Sequence, residues 1–94
     1  MPFSADQAEV LSLKALSWLA GNDDLLPVFL GASGASLSDL RDRVNDATFL
    51  GAVLDFLLMD DAWVMAFCDL EGLPYSALVE ARAALPGGEQ VHWT

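Results

Sequence analysis

Apolar residues recur along most of this chain at three- and four-residue spacing, and strict apolar/polar alternation is almost absent. That pattern predicts helices throughout, and the punctuation between the apolar runs marks where they start and stop. Ser4 followed three residues later by Gln7 makes a capping box. Val10, Leu11, Leu16, Trp18 and Leu19 then carry a first helix to about Ala20. Gly21-Asn22-Asp23-Asp24 stops it and caps a second helix, with Pro27 in the first turn, where its missing amide has no intrahelical partner to lose. The second helix is predicted to end near Gly31 to Gly34. Ser36 with Asp39 opens a short third helix through Val44. Asn45-Asp46 caps a fourth, from Ala47 to about Met59. Asp60 or Asp61 caps a fifth ending at Gly72, and Pro74 opens a sixth that runs to Leu85, before Pro86-Gly87-Gly88.

All junctions are short, so the expected fold is all-α: one compact bundle of about six short helices in a single domain over 1–94. Sliding the chain by 38 residues aligns Leu16 with Leu54, Leu19 with Leu57, Asp23 with Asp61 and Phe29 with Phe67. Gly34 then falls on Gly72, Ser38 on Ser76 and Leu40 on Leu78. Caps, terminal glycines and large apolar residues coincide, so two copies of a three-helix unit are expected, at 8–44 and 46–82, with a tail at 86–94. The fourth and fifth helices are apolar nearly all round. In the fourth, Thr48, Ala52 and Asp55 form one narrow polar stripe. This pair is expected at the bundle centre or at a dimer interface.

Composition sharpens the picture. Hydrophobic residues make up 54% of the 94, more than the ~45–50% usual for soluble domains. The excess predicts a dense core or an apolar surface covered by a partner, most simply a second copy in a homodimer. The net charge is −10, with Lys14, Arg41, Arg43 and Arg82 as the only Lys and Arg. Four dispersed cations cannot build the footprint that neutralises phosphates, which argues against nucleic acid and against anionic membrane surfaces as partners. No secretory leader pattern is visible, and the run from Phe49 to Met59 is interrupted by Asp55 and too short to span a bilayer. A cytoplasmic location is expected.

Four segments carry a resemblance: Ala15-Leu16-Ser17-Trp18-Leu19-Ala20, Phe49-Leu50-Gly51-Ala52-Val53-Leu54-Asp55-Phe56-Leu57, Gly72-Leu73-Pro74 and Ala81-Arg82-Ala83-Ala84-Leu85. Over roughly residues 8–86 the chain resembles a family of short alphaproteobacterial proteins catalogued as domain of unknown function 3572. The shared motifs are packing and capping motifs, so the resemblance implies a bacterial cytosolic protein and carries no activity or site residues with it.

Candidate chemistry is sparse. Asp23, Asp24, Asp39, Asp46, Asp60 and Asp61 fall at predicted helix starts, where carboxylates cap free amides and oppose the positive end of the helix dipole. That role competes with metal binding or acid–base work, and no calcium-loop pattern or histidine partner accompanies them. Cys68 lies late in its helix among acidic and apolar neighbours, which favours a buried thiol over a reactive thiolate. His92 is the only histidine and has no nucleophile or acid at triad-like spacing. Arg41 and Arg43 could mark a recognition helix, but Asp39 and Asp42 alternate with them and pairing with acids is the better reading.

No catalytic, cofactor or metal residues are therefore assigned. The expected function is a non-catalytic acidic helical interaction module, with Leu58, Trp63, Met65 and Trp93 as the candidate patch. The competing expectation is a small-molecule binder or enzyme whose apolar pocket lies between the repeats, lined by Trp18, Phe56 and Phe67. The tail is expected to fold back so that Trp93 plugs an apolar groove on its own or a neighbouring copy.

Overall fold

A computed structural model describes residues 4–85 of the chain. Among them lie six helices, α1 (Ala5–Ala20), α2 (Leu26–Ser33), α3 (Leu37–Asp42), α4 (Ala47–Leu57), α5 (Asp61–Glu71) and α6 (Ala77–Ala83), with no strand. The chain is all-α, as its periodicity requires.

Local chemistry sets most of the boundaries. The Gln7 amide donates to Ser4 Oγ at 3.1 Å while the Ser4 amide donates to Gln7 Oε1 at 3.0 Å, closing the capping box of α1. The same reciprocal pair joins Ser36 and Asp39 at the start of α3. Asp46 Oδ1 receives the amides of Thr48 and Phe49 at the start of α4, and Asp60 Oδ1 receives that of Ala62 at the start of α5. Gly34 and Gly72 end α2 and α5 at φ of 75° and 69°, a left-handed conformation that a Cβ disfavours.

Two boundaries differ from expectation. Asn22, not Asp23 or Asp24, turns the chain into α2: its Oδ1 accepts from the amides of Asp24 and Leu25, both at 3.1 Å. The amide-bearing side chain forms an Asx-type turn in the gap, and the two aspartates that follow point their carboxylates outward. The sixth helix begins at Ala77 and not at Pro74. A tight turn comes first, with the Ala77 amide donating to the Pro74 carbonyl at 2.9 Å.

The core is centred on α4. Phe49, Leu50, Gly51, Val53, Leu54, Phe56 and Leu57 are all buried, leaving the stripe of Thr48, Ala52 and Asp55 exposed as the sequence indicated. The expectation that α5 shares this central place is corrected. The partner of α4 is α1, which also packs against α6, and α1 contributes Ala8, Leu11, Ala15, Leu16 and Leu19 to the interior. Helix α5 buries only Val64, Phe67 and Cys68. Its other apolar residues are split over two further faces, Met65 and Leu70 facing outward and Trp63 lying at the edge, so no rotation of this helix hides them all.

Aromatic edges lock the interior. Phe29 meets Phe49 and Phe56 edge-to-face at 6.2 and 5.2 Å between centroids, and Trp18 meets Phe67 at 5.9 Å. Ser12 is the only buried polar side chain among the described residues, and its hydroxyl donates back to the Ala8 carbonyl at 2.6 Å. Arg82 of α6 lies across α4. Its Nε and Nη2 donate to the two carboxylate oxygens of Asp55 at 2.6 and 3.1 Å, and its guanidinium sits where a side chain on Gly51 would begin. A Cβ on Gly51 would stand 3.0 Å from Nη1.

Phe29 is fully buried and bridges α2 to two rings of α4. Phe29→Ala is expected to lower unfolding stability by about 3–5 kcal/mol, read by urea titration of circular dichroism. A loss well under 1 kcal/mol would contradict this packing.

Candidate functional site

Of the six aspartates expected at helix starts, three act as caps, while Asn22 replaces Asp23 and Asp24, and Asp61 lies in the first turn of α5 behind the cap Asp60. Asp39, Asp46 and Asp60 each accept a backbone amide, and Asp46 also receives Arg43 Nη2 at 3.2 Å. The Arg43 guanidinium carbon also lies 4.7 Å from the centroid of the Phe49 ring. Among the described residues, no three of His, Cys, Asp and Glu gather closely enough to hold a metal ion. Cys68 is buried, and desolvation, with the nearby Asp69 charge, pushes its thiol above the ordinary value. His92 and Trp93 lie outside the described residues, as does the tail whose docking the sequence predicts.

The candidate patch is brought together only in part. Leu58, at the C-terminal end of α4, and Met65, on the outer face of α5, line one groove of about 360 Å³ with Asp61, Val64, Tyr75 and Val79. Trp63 does not join them. It is half-buried, stacked on Phe56 at 4.7 Å and 23°, and so closes the edge of the core. Met65 is 45% exposed and Val79 58%, so the groove presents apolar surface to its surroundings. Tyr75 forms part of its wall, and its hydroxyl donates to Asp69 Oδ1 at 2.7 Å. Asp61 and Asp69 thus put carboxylates beside an apolar floor. Tyr75 and Val79 were not singled out from sequence. Their four-residue spacing across the entry to α6 was the available signal.

The pocket expected between Trp18, Phe56 and Phe67 is not formed by those residues. Phe56 and Phe67 are buried core rings, and the half-buried Trp18 closes on Phe67 edge-on from the surface, which leaves no space between the two. Trp18 lines a surface groove instead.

That groove belongs to a second apolar surface, along the outer face of α1. Three adjoining hollows of about 340, 490 and 380 Å³ share their walls. Val10, Lys14 and Glu71 belong to the first two, Leu13 and Ser17 to the second and third. Leu70 and Leu73 border α1 on one side, Leu37, Leu40 and Val44 on the other. Lys14 Nζ stands 3.9 Å from Glu71 across the middle, an exposed pair of small energetic weight.

These features define a small all-helical domain with carboxylates at several helix starts and two separate apolar surfaces, one with a single groove and one with three adjoining hollows. The family model described as protein of unknown function, DUF3572, matches residues 5–88, and the chain belongs to that family. No curated protein and no solved structure matches it. Among the described residues, no helix is long and apolar enough to cross a membrane.

Tyr75 is the only tyrosine in the chain, so absorbance near the phenolate band reads its titration directly. Its hydrogen bond to Asp69, with some desolvation and the carboxylate's charge, raises its pKa above the ordinary value of 10. Asp69→Asn removes the charge and is expected to return the midpoint toward that value. An unchanged midpoint would mean that the Tyr75–Asp69 contact does not form in solution.

Proposed function

We propose that this protein is a non-catalytic interaction module that binds a protein segment in the groove between α5 and the entry to α6. The observation that carries this reading is the groove itself: Leu58, Met65, Tyr75 and Val79 converge from three helices and their flanking turns, with Asp61 at the wall and Asp69 on the Tyr75 hydroxyl. A methionine and a tyrosine suit such a role. The thioether adapts to varied apolar shapes, and the phenol offers a large face with one polar end. The acids beside the groove, in a chain of net charge −10, favour a partner helix with an apolar stripe flanked by Lys or Arg.

The chemistry of the remaining residues is consistent with binding. Carboxylates at helix starts hold amides, and the buried thiol is pushed toward its neutral form. We also read residues 8–44 and 46–82 as two copies of one three-helix unit. Support comes from paired roles 38 residues apart: Leu16 and Leu54, Leu19 and Leu57, and Phe29 and Phe67 are buried, while Gly34 and Gly72 both end a helix at positive φ.

Tagged full-length chain and its Met65→Glu and Val79→Glu variants, exposed to lysate of the producing organism, supply the test. Any protein recovered is then purified and titrated against all three. Both residues are exposed, so the variants should keep the wild-type circular dichroism. Each should weaken the purified complex by about tenfold or more. Equal affinity for wild type and both variants would sink the groove as the binding site.

A further inference from the structure

The outer face of α1 has a layout that fits a second copy of itself. Among its exposed positions, Asp6, Val10, Leu13, Ser17 and Ala20 alternate steps of four and three residues and form one stripe, flanked by the exposed Gln7 and Lys14. Such spacing averages 3.5 residues and keeps one stripe of a helix facing a partner helix along its length. The inward face of the same helix, with Ala8, Leu11, Ala15 and Leu19, is already covered by the bundle. Thus α1 carries apolar residues on two opposite sides, Val10, Leu13 and Ala20 on the outer one, and only the inner side has a partner within the described chain.

The charges are asymmetric along this stripe. Asp6 lies in the hollow at one end, and Arg41 of α3 lies in the hollow at the other, beside Ala20. Neither makes an ion pair or side-chain hydrogen bond among the described residues. Between them the surface is mainly apolar: Leu13 is 39% exposed, Leu37 62% and Leu70 67%, and the one charged contact there, Lys14 with Glu71, is internally paired.

Leu13 is seven residues from both Asp6 and Ala20. A two-fold axis at Leu13 with the two helices antiparallel therefore sets Leu13 on its own symmetry mate. Val10, three residues before the axis, then comes beside the small Ser17, four residues after it, and Asp6 comes to the Ala20 end, where Arg41 waits. Rotation closes the contact as an isologous pair, so the meeting of Asp6 with Arg41 occurs twice. A parallel arrangement fails, because it would bring Asp6 to Asp6 and Arg41 to Arg41.

We infer that the chain forms an antiparallel homodimer through the outer face of α1, with Leu13 on the two-fold axis and Asp6 of each copy paired with Arg41 of the other. This contact lies on a different surface from the α5–α6 groove and stands or falls separately from it.

Sedimentation velocity of the full chain, over a range of concentrations, reads the result. Wild type should be dimeric at micromolar concentration. Leu13→Glu sets two carboxylates against each other at the axis and should leave only monomer, with unchanged circular dichroism because Leu13 is partly exposed. Asp6→Arg alone should weaken the dimer about tenfold, and Asp6→Arg combined with Arg41→Asp should recover it, which a nonspecific apolar contact would not do. A Leu13→Cys variant should cross-link through its own mate on oxidation, Cys68 being buried. A wild-type monomer, or a dimer indifferent to Leu13→Glu and to the charge exchange, overturns the inference. So does a monomer that dimerises only when the chain is cut after Gly88, since the tail would then be what occupies the stripe.

Discussion

The structure depends on covering α4. This helix has apolar side chains on all but one stripe, and no single neighbour can hide a helix of that kind. Helices α1, α6 and α5 do it together, with Phe29 reaching in from α2. Arg82 then lies over the remaining gap. Gly51 leaves the backbone bare, the guanidinium settles there, and Asp55 holds its fork from the adjacent turn. Asp55 is well exposed, so the ion pair itself contributes at most about 1 kcal/mol. Its larger effect is positional: it keeps the apolar stem of Arg82 spread over α4.

Burying α4 in so short a chain has a cost elsewhere. Small domains have a high ratio of surface to interior, so a chain rich in apolar residues cannot place them all inside. Once α1 and α6 are committed to α4, the second faces of α1 and α5 remain outside. The two hollowed surfaces are the geometric result. They sit on the helices that pack beside the centre, while α4 itself exposes only Thr48, Ala52 and Asp55 before its last turn.

Local features were readable from sequence because their physics is local. A capping box needs four consecutive residues, and Ser4–Gln7 and Ser36–Asp39 form as written. Gly34 and Gly72 stop their helices for a reason contained in one residue, and the Thr48–Ala52–Asp55 stripe follows from periodicity alone. The misreadings concern competition between equals. Asn22, Asp23 and Asp24 can each make an Asx turn, and the one chosen depends on where α1 lets go. Helix α5 has apolar residues on three faces, so its pattern does not say which face turns inward. Packing on Phe56 took Trp63 away from the patch and left Met65 in it. Tyr75 and Val79 joined the groove through the placement of α6, a tertiary fact invisible in either residue. The outward stripe of α1 was present in the sequence as a heptad-like spacing, masked there by the stronger inward pattern on the same helix.

Charge links these levels. Carboxylates suit helix starts, and Asp39, Asp46 and Asp60 are held there by backbone amides. The net charge of −10 per chain repels a second copy at long range. That repulsion decays over about 8 Å at physiological ionic strength, whereas apolar contact and the opposed Asp6 and Arg41 act at touching distance. In the proposed dimer, two copies would therefore avoid each other in most orientations and adhere in the one that cancels charge locally. The chain's acidity would thus make the proposed association selective, because only a surface that interrupts the negative field offers a place to meet.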